Sequence, residues 1–140
     1  MTKQRAQPIT PDDILIAIAH YLPQGRKCFR YGAEKLNTFF YNQKPEHPEL
    51  LKCLLFDTNG NFPACEDIYQ AVSRLVTSGL VIVRSNFLKP EGEYHFHPAV
   101  EGSFQQSARK RFSRQQISEL ETLSKEFDAQ IAMPESISFN

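Results

Sequence analysis

The chain has 140 residues and a mass of 16.1 kDa, and 41% of its residues are apolar. This is the size of one compact domain with enough apolar side chains to fill a core, so global disorder is excluded. Sixteen basic and sixteen acidic residues give zero formal net charge, so the whole molecule lacks the positive field of many nucleic-acid binders.

The cysteines and the hydropathy pattern predict a cytoplasmic protein without a membrane segment. The three cysteines are not closely paired in sequence, which favours free thiols in a reducing compartment over a disulfide framework. The longest apolar run, over 14–19, is far shorter than the ~18 residues that a membrane-spanning helix needs.

The first half of the sequence predicts three helices and no clear strand between the first two. Residues 1–9 are polar and aperiodic, and we expect them to be flexible. Thr10, followed by proline and two aspartates, is a strong helix start, so the first helix is expected over 11–22. Its interior is apolar on nearly all sides, which predicts a central position. Two further helices are expected over 31–42 and 48–56.

The fourth predicted helix has the clearest amphipathic pattern in the chain. Its apolar residues recur at the helical spacing and are Ile68, Ala71, Val72, Leu75 and Val76. Gly79 is expected to end this helix. Two apolar segments follow, over 80–87 and 93–98, and a turn between them over 89–92 completes a predicted β-hairpin.

The C-terminal part predicts a connector and a last helix. Residues 99–112 are mainly polar and contain a basic cluster, so we expect a connector there. A final helix is expected over 113–132, followed by a flexible tail over 133–140. Four apolar residues of this helix fit coiled-coil spacing and predict a homodimer interface: Ile117, Leu120, Phe127 and Ile131. Packing of the helix on its own domain is an equal alternative.

The order of these elements resembles a winged helix-turn-helix domain. The stretch FDTNGNFPACEDIYQAVSRLVTSGLVIV, Phe56 to Val83, carries the resemblance, above all the ending in which Leu75 and Val76 precede Gly79 and an apolar strand. The resemblance covers about residues 10–98. It implies an α+β, mainly helical fold with about four helices and a β-hairpin, to which the C-terminal helix is added.

The resemblance also implies that the fourth helix lies in a DNA major groove. Glu66 and Asp67 in its first turn repel phosphate and weaken this interpretation. The basic loop at 26–30 adds possible phosphate contacts. The candidate DNA contacts are Gln70, Ser73, Arg74 and Thr77 on the helix, Arg84 and Lys89 in the wing, and Arg109, Lys110, Arg111 and Arg114 in the basic cluster.

Two functions follow from these observations. The leading prediction is a DNA-binding protein that regulates transcription, with duplex DNA as its partner. The alternative is a protein-binding module, such as an adaptor or an antitoxin-like partner, that does not bind DNA.

An enzyme is the least favoured class, because the chain has no nucleotide-binding or hydrolase motif, and we expect no cofactor.

His95 and His97 lie on one side of a predicted strand and would need a third ligand to bind a metal, so a solvent-facing role is preferred. The dipole of the fourth helix could activate the Cys65 thiol at its N-cap. A small residue tolerated at a cap is the preferred interpretation.

Overall fold

The computed structural model describes residues 8–86 and 89–136, and the side chains of all of these except 86 and 89–91. Within this part of the chain there are five α-helices and three strands. They are α1 (Pro11–Tyr21), β1 (Cys28–Arg30), α2 (Ala33–Gln43), α3 (Glu66–Thr77), β2 (Val81–Asn86), β3 (Lys89–Phe96), α4 (Val100–Gln106) and α5 (Arg114–Gln130). One 3₁₀ helix, Lys44–Glu46, follows α2, and another, Ala108–Arg111, follows α4 and is here called the basic 3₁₀ helix. The layout is α+β and winged-helix-like, as predicted.

Helix α1 is the centre of the core, which confirms the prediction from its sequence. The Thr10 hydroxyl accepts the backbone N–H of Asp13, and the Asp13 carboxylate accepts the N–H of Thr10, so the first turn is fixed by a capping box. Residues 13–19 are all buried. The helix contacts α3, α4 and α5, which surround it.

The sheet is antiparallel with the order β1-β3-β2. Cys28 of β1 pairs with His95 of β3, and Val81 of β2 pairs with Phe96. The sequence does not reveal β1, because three residues are too few to show alternation. The predicted turn over 89–92 is wrong, since these residues belong to β3. β1 pairs with 93–95, and the N–H of Tyr31 donates to the Gly92 carbonyl at 3.2 Å, so β3 extends beyond β1 before residue 92, where an edge position tolerates proline.

Two other sequence predictions are corrected. Residues 48–56 form turns instead of a helix, although Leu50, Leu51 and Leu54 are buried as the pattern requires. The connector predicted over 99–112 is helical, because the side chains of Val100 and Phe104 fall one turn apart and pack into the core. Polar neighbours hide this short pattern in the sequence.

The C-terminal segment after α5 follows strand β1. The N–H of Met133 donates to the Cys28 carbonyl at 2.9 Å, and the N–H of Glu135 donates to the Gly25 carbonyl at 2.8 Å. The expectation of a flexible tail is therefore wrong for 133–136. Residues 137–140, and residues 1–7 of the predicted flexible N-terminus, lie outside the described part of the chain.

Helix α5 packs on its own domain. Leu120 and Phe127 are fully buried, Ile131 is buried and Ile117 is half-buried against the core. The ring of Phe127 contacts Phe29 at a centroid distance of 5.8 Å. The side chains predicted to form a dimer interface are therefore occupied within the chain. None of the described helices combines the length and the apolar character needed to cross a bilayer.

Candidate functional site

Helix α3 is fixed at both ends by backbone hydrogen bonds. The buried N–H of Cys65, the residue before the helix, donates to Oδ1 of Asn37 at 3.0 Å. At the other end Gly79 has a φ of +81°, and the N–H of Leu80 donates to the Leu75 carbonyl at 3.0 Å. This is the Schellman type of helix end, which glycine favours because it adopts positive φ without strain. The predicted stop at Gly79 is confirmed.

The outward face of α3 is polar, and its one cation, Arg74, is paired with a carboxylate. Gln70, Ser73 and Thr77 are exposed, as the sequence predicts. The Gln70 amide donates to the Glu66 carboxylate at 3.2 Å, and the Thr77 hydroxyl donates to the Ser73 carbonyl at 2.9 Å. The first turn of this face therefore carries a carboxylate, at the end of the helix that comes closest to a duplex in a major-groove complex.

Arg74, the basic residue of α3, is held by helix α1. Its Nε and Nη2 donate to the two carboxylate oxygens of Asp12 at 3.0 and 2.6 Å. This bidentate contact with Asp12 raises the pKa of Arg74, so the guanidinium stays charged. About half of the Arg74 side chain is still exposed, but its charge is neutralised locally.

The basic cluster predicted over 109–114 divides into two parts. Arg111 reaches inward, and its Nη1 donates to the Asp13 carboxylate at 3.2 Å, next to the Arg74–Asp12 pair. Arg109 faces outward and has an amide partner, Gln105, at 3.5 Å. Lys110 and Arg114 are exposed, and neither has a salt bridge with any described residue.

The basic loop before β1 is also used within the fold. Arg26 donates to the Asp128 carboxylate of α5 at 2.6 Å. Lys27 is buried, and its ammonium group donates to the Ala19 carbonyl at 2.7 Å and to the Glu101 carboxylate at 3.2 Å. These side chains join α1, α4 and α5 and are not available to phosphate.

The hairpin contributes one described cation. Arg84 of β2 is exposed, and its guanidinium lies 3.4 Å from both the carbonyl and the hydroxyl oxygen of Ser136. Lys89 lies in β3, but its side chain is outside the described part of the structure.

A groove between α3 and the hairpin is the feature that the sequence prediction misses. It has a volume of about 290 Å³ and is lined mainly by tyrosine and valine. The lining includes Tyr31, Tyr69, Val72, Val76, Val83 and Tyr94. Tyr69 is 55% exposed and Val83 is 40% exposed, which is high for apolar side chains. The sequence gives little indication that Tyr69 and Val83 are exposed, because each lies next to residues that follow a regular core pattern.

Gly92 gives this groove its shape. A Cβ at Gly92 would lie 2.8 Å from Cγ1 of Val83 and 3.1 Å from the Tyr94 ring. Both side chains therefore lie flat over the backbone of β3, and a larger residue at position 92 would displace them.

One polar atom in the groove has no hydrogen-bond partner. The hydroxyl of Tyr31 is buried and unpaired among the described residues. Burial raises the pKa of Tyr31, and the neighbouring phenols of Tyr94 and Tyr69 and the Glu66 carboxylate raise it further. The hydroxyl therefore stays protonated and is a buried donor without a partner among the described residues.

The structure also places His95, His97 and Cys65, the other candidate site residues of the sequence. His95 is fully buried, so the prediction that it faces solvent is wrong, and burial lowers its pKa. His97 follows the strand, and its Nδ1 accepts the N–H of Ala99 at 3.0 Å. Cys65 is buried, and this burial raises the pKa of its thiol despite the nearby N–H groups of the α3 N-terminus. The raised pKa disfavours a reactive thiolate at Cys65.

Comparison with known proteins yields no relative. No protein-family model matches the chain, and no curated protein or solved structure is significantly similar to it.

Proposed function

We propose that this protein is a winged-helix-like module that binds a protein partner in the groove between α3 and the hairpin. One observation carries the proposal. The surface of α3 that would meet a ligand consists of an acidic first turn and a groove rich in tyrosine, while Arg74 is bound by Asp12.

The charges on α3 favour a protein over DNA. Glu66 and Asp67 are both exposed at the helix N-terminus, where they are stabilised by the helix dipole but repel phosphate. A DNA-binding helix gains most of its affinity from cations beside the phosphates. On α3 the basic side chain already has a carboxylate partner, so the helix offers little attraction to a duplex.

The chemistry of the groove defines the partner segment. The exposed surfaces of Tyr69 and Val83 favour apolar side chains, since tyrosine-rich surfaces supply large and rigid contact areas at interfaces. Glu66 and Asp67 favour a Lys or Arg at the end of the segment near the start of α3.

DNA binding with a role in transcription is the second candidate, and a different surface favours it. Lys110 and Arg114 are exposed without a salt-bridge partner among the described residues, and Arg109 lies beside them. Such a patch supports sequence-independent phosphate contacts. In this candidate the basic 3₁₀ helix and the start of α5 provide the affinity, and α3 does not.

The first experiment places a photo-crosslinking amino acid at position 69, inside the groove, in the cells that normally make the protein. The matched control carries the same amino acid at position 125, an exposed site on α5. The proposal expects one major crosslinked protein at position 69 that is absent at position 125 and is lost in a Val83→Asp background.

The second experiment measures affinity. With the purified partner, Val83→Asp should weaken binding by about tenfold or more, because a buried carboxylate would enter an apolar contact. A variant with Arg109, Lys110 and Arg114 all changed to Glu should bind the partner like the parent. Fluorescence anisotropy with a mixed-sequence duplex tests DNA in parallel. DNA binding with a steep salt dependence, lost in the triple variant and retained in Val83→Asp, would overturn the proposal in favour of the second candidate.

A further inference from the structure

A buried polar cluster lies on the face of the sheet opposite to the hydrophobic core. Phe29 and Phe96 point into the core, so their neighbours along the strands point to the other face. Cys28 and His95 are direct partners across β1 and β3, and Glu93 lies on the same side two residues before His95. Cys28 and His95 are fully buried, and the Glu93 side chain is 20% exposed.

The distances between these side chains fit one metal ion. The Cys28 Sγ lies 3.6 Å from Nε2 of His95, and this nitrogen lies 3.9 Å from Oε1 of Glu93. The three ligand atoms are all within 4.8 Å of one another. In a tetrahedral zinc site, bonds of roughly 2.0 to 2.3 Å place neighbouring ligand atoms roughly 3.3 to 3.7 Å apart. Small side-chain rotations bring all three atoms to that spacing.

The protein itself satisfies the buried imidazole poorly. Nδ1 of His95 has no hydrogen-bond partner among the described residues, and the one hydrogen-bond contact of Nε2 is with the Cys28 sulfur at 3.6 Å. A wholly buried histidine with this environment is costly, because buried polar atoms are nearly always paired. A cation can bond to Nε2, which faces the ligand atoms of Cys28 and Glu93, whereas Nδ1 remains without a partner among the described residues.

We infer that Cys28, His95 and Glu93 form a zinc-binding site. Sulfur and imidazole nitrogen, together with one carboxylate, favour Zn²⁺ over Mg²⁺ or Ca²⁺, which prefer oxygen ligands. Binding converts the Cys28 thiol to a zinc-bound thiolate and releases one proton to solvent. The thiolate and Glu93 together neutralise the charge of the ion.

With three protein ligands, a tetrahedral ion would keep its fourth position for water. The C-terminal segment lies beside this site. The Ser136 hydroxyl donates to Oε1 of Glu93 at 3.1 Å, so the C-terminal segment crosses this face of the sheet. A bound ion would link β1 to β3 and would stabilise the sheet that positions the hairpin.

The test uses the full chain, stripped of metal with a chelator and then titrated with Co²⁺ as a spectroscopic substitute for Zn²⁺. We expect one ion per chain, with absorption bands of tetrahedral cobalt and a near-ultraviolet charge-transfer band from cobalt–thiolate bonding. Zn²⁺ should displace Co²⁺ and raise the melting temperature, because it binds the folded state.

Two variants and a control identify the ligands. Cys28→Ser should lose the charge-transfer band, and Glu93→Gln, at a partly exposed site, should keep the band but bind Zn²⁺ more weakly by about 100-fold or more. Cys53→Ser removes a thiol elsewhere and should behave like the parent. Absence of the band in the parent overturns the inference, and so does a Cys28→Ser protein that is folded by circular dichroism and binds Co²⁺ unchanged.

Discussion

Helices α3 and α5 are both amphipathic, but they use their apolar residues differently. In α5 the long apolar side chains are buried against the chain's own core. In α3 the core stripe is equally buried, but Tyr69 lies beside it, exposed, over a groove. The comparison teaches that a regular apolar stripe identifies the face that packs on the core. In the proposed module, Tyr69 at the edge of the α3 stripe contacts the partner instead.

The largest effect on stability is expected for Phe127→Ala, which tests whether the apolar face of α5 belongs to the core. The Phe127 ring is fully buried between Phe29 and Phe39, so its loss should lower the free energy of unfolding by about 3 to 5 kcal/mol. Urea titrations measure this change, and Lys125→Ala, at an exposed position, is the control.

The urea midpoint of the parent should not depend on protein concentration. A midpoint that rises with concentration would mean that folding is coupled to dimer formation.

The next largest effect concerns Glu101, which fixes the C-terminal helices to α1. Its carboxylate accepts hydrogen bonds from His20 and from the buried Lys27. Burial of Glu101 opposes ionisation, but the hydrogen bonds from His20 and Lys27 outweigh it and lower the pKa of this carboxyl. Stability from Glu101 is therefore present above its unfolded pKa of about 4.3 and is lost as the pH falls through the lower folded value.

Urea midpoints between pH 7 and pH 3 test this linkage. Glu101→Gln should be less stable than the parent at pH 7, and the difference should shrink as the pH falls below about 4.3. Because the side chain is 43% exposed, solvent screens part of the effect. A difference between the two proteins that stays constant over this range would show that Glu101 does not act through its charge.

A smaller effect tests the start of α5. The Ser113 hydroxyl accepts the N–H of Gln116 at 3.1 Å, and the Gln116 side chain accepts the N–H of Ser113 at 2.8 Å. Ser113→Ala should lower the free energy of unfolding by about 1 kcal/mol, measured by urea titration. Gln115→Ala changes an exposed residue in the first turn of α5, two residues after Ser113, and it should be nearly neutral. Equal losses in the two variants would contradict the capping role.

The parts of the fold that local chemistry determines could be predicted from the sequence. The cap at Thr10 and the stop at Gly79 depend on neighbouring residues, and both are confirmed. β1 and α4 were missed, because β1 forms only by pairing with a distant strand, and α4 shows only two core residues. The groove and the Arg74–Asp12 pair depend on residues far apart in sequence, so composition and spacing do not reveal them.

The smallest effect on stability is expected for Arg74→Ala, and its effect on DNA affinity tests whether α3 contacts a duplex. Arg74 and Asp12 form a partly exposed ion pair, so its loss should cost less than about 1 kcal/mol of stability. In the proposed module, neither Arg74→Ala nor Asp12→Asn should change the anisotropy of a labelled duplex, because α3 does not contact phosphate. If α3 instead enters a major groove, Asp12→Asn frees the guanidinium of Arg74 and DNA affinity rises, whereas Arg74→Ala lowers it. Opposite responses of these two variants would assign α3 to DNA, and unchanged binding in both leaves the groove as its functional surface.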